Sequence, residues 1–132
     1  MPRTLGEHLR QRRHELRLYQ KDVAKTLGIN PWTLIGWEAD RKMPAMRFWP
    51  RIIKFLGYDP FPEPSTLGGR LCAARRRLGL SQEKMAQMLG VDEGTVRLVE
   101  AGRRRPNPDT LAKVERMLAA YPPLGAADRL ST

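Results

Sequence analysis

The chain repeats itself. Shifted by 62 residues, it lays Thr4 on Thr66 and continues to Pro60 on Pro122 without insertion or deletion. Identical pairs include Leu5/Leu67, Gly6/Gly68, Leu9/Leu71, Arg13/Arg75, Leu16/Leu78, Leu18/Leu80, Gln20/Gln82, Ala24/Ala86, Leu27/Leu89 and Gly28/Gly90. They run on through Thr33/Thr95, Glu38/Glu100, Ala39/Ala101, Arg41/Arg103, Pro44/Pro106 and Leu56/Leu118. Most are apolar or turn residues, which two copies of one fold would share. Two unrelated helical segments would not set glycines, prolines and charges in register. Each copy therefore has to fold from about 60 residues, a size that buries only roughly 60% of its unfolded surface. Few architectures manage that.

Each copy holds a short helix, a turn on glycine and a second short helix, in Tyr19 to Glu38 and again in Ser81 to Glu100. Ala24, Leu27, Ile29, Leu34 and Trp37 are the apolar positions of the first, and Ala86, Leu89, Val91, Val96 and Val99 those of the second. Their spacing lets the paired helices cross steeply over a shared seam, as in a helix-turn-helix unit. A helix precedes each pair and another follows it. Thr4-Leu5-Gly6-Glu7 has the capping-box pattern, opening a helix whose stripe is Leu5, Leu9 and Leu16. Asn30-Pro31 opens the third helix, and the fourth, carrying Ile52, Ile53, Phe55 and Leu56, starts near Phe48 or Trp49 because Pro50 suits only a first turn. In the second copy helix 1 spans Leu67 to Leu78, Ser81 and Asp92 cap the next two helices, and Asn107-Pro108 opens the last.

The divisions follow: a first domain over residues 1–60, a Pro-rich linker at 61–65, a second domain over 66–121 and a loose tail at 122–132. Three prolines between Tyr58 and Ser65 stiffen the junction and favour one relative orientation of the copies. Tyr121 and Leu124 offer the tail a way to pack back.

Lys and Arg number 24 against 14 Asp and Glu, a formal charge of +10 with pI near 10.6. Divided after Pro62, the copies carry +6 and +4. Both halves thus call for a polyanionic partner. No apolar run approaches the roughly 18 residues of a membrane span, and MPRTLGEH lacks a signal-peptide core, so a cytoplasmic protein is expected. Cys72, the only cysteine, can form no internal disulfide and is expected to fill a small apolar place on a helix. His8 and His14 lie among arginines with no carboxylate pair or metal spacing nearby, and Gly68-Gly69 is no phosphate loop. No enzyme, cofactor or metal is expected, and no small-molecule substrate.

From Arg75, the second copy carries Leu78, Gly79, Leu80, Ser81, Gln82, Ala86, Leu89, Gly90, Val91, Thr95, Val96, Glu100, Gly102, Arg104 and Pro106 at fixed spacing. The first matches with Arg13, Leu16, Leu18, Gln20, Ala24, Leu27, Gly28, Ile29, Thr33, Glu38 and Pro44. This pattern resembles the phage-repressor family of helix-turn-helix proteins, the Cro-like or XRE-like domains, twice over, across residues 4–60 and 66–119. The resemblance implies an all-α fold of two tandem lambda-repressor-like bundles, each of four to five helices, that bind double-stranded DNA. It places the third helix of each copy in a major groove. It implies that Gln20 and Gln82 bond to phosphate, and that Arg13–Glu38 and Arg75–Glu100 are buried structural ion pairs rather than DNA contacts.

By the same register Asn30, Pro31, Trp32 and Gly36 face the groove in the first copy, and Asp92, Glu93, Gly94 and Leu98 in the second. Thr33, Ile35, Thr95 and Arg97 lie at or beside those faces. Direct readout favours Arg or Lys on guanine and Asn or Gln on adenine. Neither helix has such a reader at its centre, because Asn30 and Asp92 are needed as caps. Trp32 and Ile35 suit thymine methyl groups, Glu93 suits cytosine, and Arg97 suits guanine or phosphate. Backbone contacts are better supplied: Arg41 and Lys42, then Arg103, Arg104 and Arg105, follow the third helices, and Arg75-Arg76-Arg77 forms a further basic run. The expected function is a sequence-preferring transcriptional regulator, a repressor, reading DNA through two modules in one chain. The alternative is an interaction or antitoxin-type protein whose first copy binds a protein partner or a second copy of the chain through the apolar Trp32/Ile35 surface.

Overall fold

The computed structural model describes residues 2–103 and 105–122, and every regular element among them is helical. α1 (Leu5–Glu15), α2 (Gln20–Leu27), α3 (Pro31–Glu38) and α4 (Trp49–Leu56) form the first bundle, with a 3-10 turn at Met46–Phe48 leading into α4. α5 (Leu67–Leu78), α6 (Gln82–Leu89), α7 (Glu93–Glu100) and α8 (Pro108–Ala120) form the second. Local signals in the sequence account for most of these limits. Asn30 Oδ1 accepts from Trp32 N at 2.8 Å, Ser81 Oγ from Lys84 N at 3.2 Å and Asn107 Oδ1 from Thr110 N at 2.8 Å. Pro50 sits in the first turn of α4, where its missing N–H breaks no helical bond.

Three local expectations are corrected. The capping box is only half made: Thr4 Oγ1 accepts from Glu7 N at 3.2 Å, but Glu7 reaches past Thr4 to accept from Arg3 N at 2.6 Å. That backbone bond is the main reason the Glu7 carboxyl lies below its ordinary pKa. Leu16 is outside α1 and 43% exposed, so the stripe is Leu5 and Leu9 alone. Asp92 occupies the N-cap of α7, yet its carboxylate accepts from Thr95 Oγ1 at 2.9 Å instead of capping a backbone N–H.

Two cores result. Leu5, Leu9, Val23, Leu27, Leu34, Trp37 and Ile52 pack in the first, and Leu71, Met85, Leu89, Val96, Val99 and Val114 in the second. Gly6 and Gly68 explain their own recurrence. A Cβ on Gly6 would run into the Glu38 carbonyl oxygen, and one on Gly68 into that of Val99. Each glycine lets the first helix of its bundle touch the end of the third.

The bundles are joined by more than a linker. α4 and the 3-10 turn before it pack on α5. Asp59, 6% exposed, stands between Arg76 Nη2 at 3.8 Å and Arg77 Nη1 at 3.6 Å. Arg77 also reaches Glu63 Oε2 at 3.3 Å and donates to the Tyr121 carbonyl at 3.2 Å. The Arg76 guanidinium lies 4.6 Å from the Phe61 ring centre and 5.6 Å from that of Trp49. Arg76 and Arg77 are therefore inter-bundle residues, and the expectation that their run meets phosphate is overturned. Of the tail, residues 123–132, and Leu124 with them, lie outside the described residues.

Candidate nucleic-acid interface

Each helix pair turns on a left-handed glycine. Gly28 has φ +70° and Gly90 φ +74°, and the next residue donates back into the preceding helix, Ile29 N to Ala24 O at 2.9 Å and Val91 N to Ala86 O at 3.0 Å. The turn closes α2 with the Schellman pattern and sets the angle at which α3 leaves; in the second bundle it does the same for α6 and α7. Leu34 and Trp37 point inward from α3, Val96 and Val99 from α7. Glu38 at the end of α3 is buried with them, and the other residues of the two helices lie at least partly open to solvent.

On α3 that outer face holds Pro31 and Trp32, with Thr33, Ile35 and Gly36 half-buried beside them. Trp32 is 79% exposed. On α7 it holds Asp92, Glu93, Arg97 and Leu98, with Gly94 and Thr95 half-buried. A Cβ at Gly36 or Gly94 would meet nothing within 4 Å, so each glycine leaves a shallow opening on its face. The two faces differ in chemistry. That of α3 is apolar, and the side-chain carbonyl of Asn30 at its start is taken up by the Trp32 N–H. That of α7 is charged but internally matched: Arg97 Nη2 lies 3.5 Å from Glu93 Oε1 across one turn. Both groups are exposed, so the pair holds the two candidate readers together only weakly.

Beneath each face lies a three-part clamp. Arg13 Nε donates to Glu38 Oε2 at 2.8 Å and Nη2 to Glu38 Oε1 at 3.0 Å. Arg75 does the same to Glu100 at 2.9 and 3.0 Å. Burial alone would lower the Arg75 pKa, but the bonds and charge of Glu100 outweigh it and the net direction is upward. Arg75 also donates to the Leu80 carbonyl at 3.1 Å and to Cys72 Sγ at 3.8 Å, so the half-buried cysteine accepts a hydrogen bond as well as filling space.

The third part is glutamine, through a contact that the sequence did not announce. Gln20 Nε2 donates to Glu38 Oε1 at 3.0 Å, and Gln82 Nε2 to Glu100 Oε1 at 3.1 Å. One amide hydrogen of each is thus committed inside the protein, and the side chain is positioned before any ligand arrives. The opening N–H groups of α2 and α6, like those of any helix, have no partner within their own helix. Tyr19, 71% exposed, adjoins the start of α2, with Lys21 Nζ 5.6 Å from its ring centre.

Arg41 and Lys42 are exposed just after α3, and Arg103 and Arg105 just after α7. Arg104 lies outside the described residues. Arg105 borders a cleft of about 150 Å³ with Thr95, Pro106, Asn107 and Thr110, which connects the loop to the outer face of α7.

A bundle of this kind, with a glycine-turned helix pair and cations flanking its outer helix, defines a helix-turn-helix protein. The family model described as "Helix-turn-helix" matches the chain twice, over residues 9–61 and 73–123. The chain belongs to that family, as a tandem protein of the phage-repressor type, and is a DNA-binding protein. No curated protein and no solved structure matches it. No helix among the described residues is long and apolar enough to cross a membrane.

Proposed function

We propose that the chain is a sequence-preferring transcriptional repressor of the cytoplasm that engages double-stranded DNA with both bundles. One observation carries this reading: α3 and α7 each keep an unobstructed outer face, and exposed cations follow both, Arg41 and Lys42 in one case and Arg103 and Arg105 in the other. The cations neutralise phosphate and supply most of the affinity, which makes binding strongly salt-dependent. Gln20, Gln82 and the helix starts behind them fix the register on the backbone. Trp32 and Ile35 then read thymine methyl groups, while Glu93, Thr95 and Arg97 read polar base edges. Asn30, Pro31, Asp92 and Gly94 shape the ends of those faces. With no bidentate purine reader central to either helix, part of the preference comes from DNA shape. Occupancy of a promoter is enough to repress it.

A mobility shift on random duplex at low and at raised salt tests the proposal. Retention at low salt that falls steeply with added salt is expected; indifference to duplex at low salt would sink it. The exposure of Trp32 favours a second reading, in which the first bundle holds a protein partner or another copy of the chain. Trp32→Ala separates the two. It weakens DNA binding under the first reading and leaves it unchanged under the second.

A further inference from the structure

The bundles meet head to tail. α4 of the first lies on α5, the leading helix of the second. A two-fold pair uses one surface twice, so this contact would be matched by another between α8 and α1. Among the described residues no comparable packing joins α8 to α1.

The side chains at the seam are not repeated either. At the 62-residue offset, Arg76 and Arg77 correspond to His14 and Glu15, and Asp59 to Tyr121. Ile53 and Ala73 are buried but belong to neither core, and their counterparts Glu115 and Gln11 are polar and exposed. Gly79 approaches so near that a Cβ there would lie 2.8 Å from Pro50 Cγ, and its counterpart is Arg17. The seam is therefore built once, in one direction.

From this we infer that the DNA site of a single chain lacks inverted symmetry: it has two unlike halves, in an orientation and at a spacing fixed by the α4–α5 seam. The inference rests on the DNA-binding reading above and extends it. Palindromic operators mirror a two-fold axis in the protein. Here no such axis relates α3 to α7, and the two helices present different chemistry, Trp32 and Ile35 against Glu93, Arg97 and Leu98. Buried Asp59 paired with Arg76 and Arg77, together with the α4–α5 packing, resists a change in that relation. Such resistance makes spacing matter, because one inserted base pair moves a half-site by about 3.4 Å and turns it by roughly 35° about the duplex axis.

The test uses the full chain. Duplexes selected from a random pool are footprinted, and the mass of the complex gives the number of chains per site. One chain per site is expected, protecting two unlike halves, with affinity falling about tenfold or more when one base pair is inserted between them. Asp59→Ala, checked for native helix content by circular dichroism, should tolerate that insertion better than the parent chain. Inverted repeats, two chains per site, a single protected half, or indifference to the insertion would each overturn the inference while leaving DNA binding intact. Failure to retain any duplex at low salt would overturn the DNA reading itself, and this inference with it.

Discussion

Arg75 grips Glu100 through two parallel hydrogen bonds of 2.9 and 3.0 Å, binding the first helix of the second bundle to the end of its third. Arg13 and Glu38 do the same in the first bundle. Cutting such a pair in half leaves a buried charge without compensation. Glu100→Ala should therefore destabilise the second bundle by about 3–5 kcal/mol, read as a lower urea midpoint. Glu100→Gln, which keeps an acceptor, should cost less. Equal losses from the two would show that charge does not matter there.

Gly68 has no room for a methyl group, because the Val99 carbonyl occupies the place of its Cβ. Gly68→Ala should cost about 1–3 kcal/mol through forced separation of α5 from α7. Gly94→Ala, on an open face, should leave stability unchanged or raise it by up to about 1 kcal/mol. Thermal melts of the two variants compare them directly.

Arg17 adopts φ +56° where the second copy has Gly79 at φ +70°. Side chains resist that conformation by about 1–2 kcal/mol. Arg17→Gly should raise the unfolding midpoint of the first bundle, and no change would mean that the turn is relaxed as it stands. Asp40 also sits at positive φ, opposite Gly102, but there the side chain has a use. Its carboxylate accepts from Thr4 Oγ1 at 2.6 Å and Gly6 N at 3.0 Å, so Asp40→Gly should bring no comparable gain.

Arg103 and Arg105 are exposed beside α7. Reversing both to glutamate should weaken binding to every duplex alike and flatten the dependence of log K on log salt by roughly 0.9 for each phosphate no longer neutralised. Affinity and slope measured by titration at several salt concentrations settle it; an unchanged slope would place phosphate elsewhere.

Helix limits were largely legible in the sequence, since their causes are local. Gly28, Gly57 and Gly90 end helices in the left-handed region, and Asn30, Ser81 and Asn107 start them. The core was legible through the repeat, which marks its positions twice. The arginines were harder. In sequence, Arg76 and Arg77 look like Arg103 and Arg105, and what separates them is a buried aspartate at the junction that no periodicity reveals. Gln20 and Gln82 were similarly opaque, because their acceptor lies a full helix away and already holds an arginine. Leu16 misled for the opposite reason: its repeat partner Leu78 stays helical and packs on the second core, whereas α1 ends one residue sooner.

Because Asp59 belongs to one copy and its arginines to the other, the order of the copies carries information. A transposed chain, with the present second half leading, would set Tyr121 against His14 and Glu15 at the new junction and leave Asp59 stranded at the far terminus. The duplicated halves have ceased to be interchangeable parts, although each still displays the plan they share.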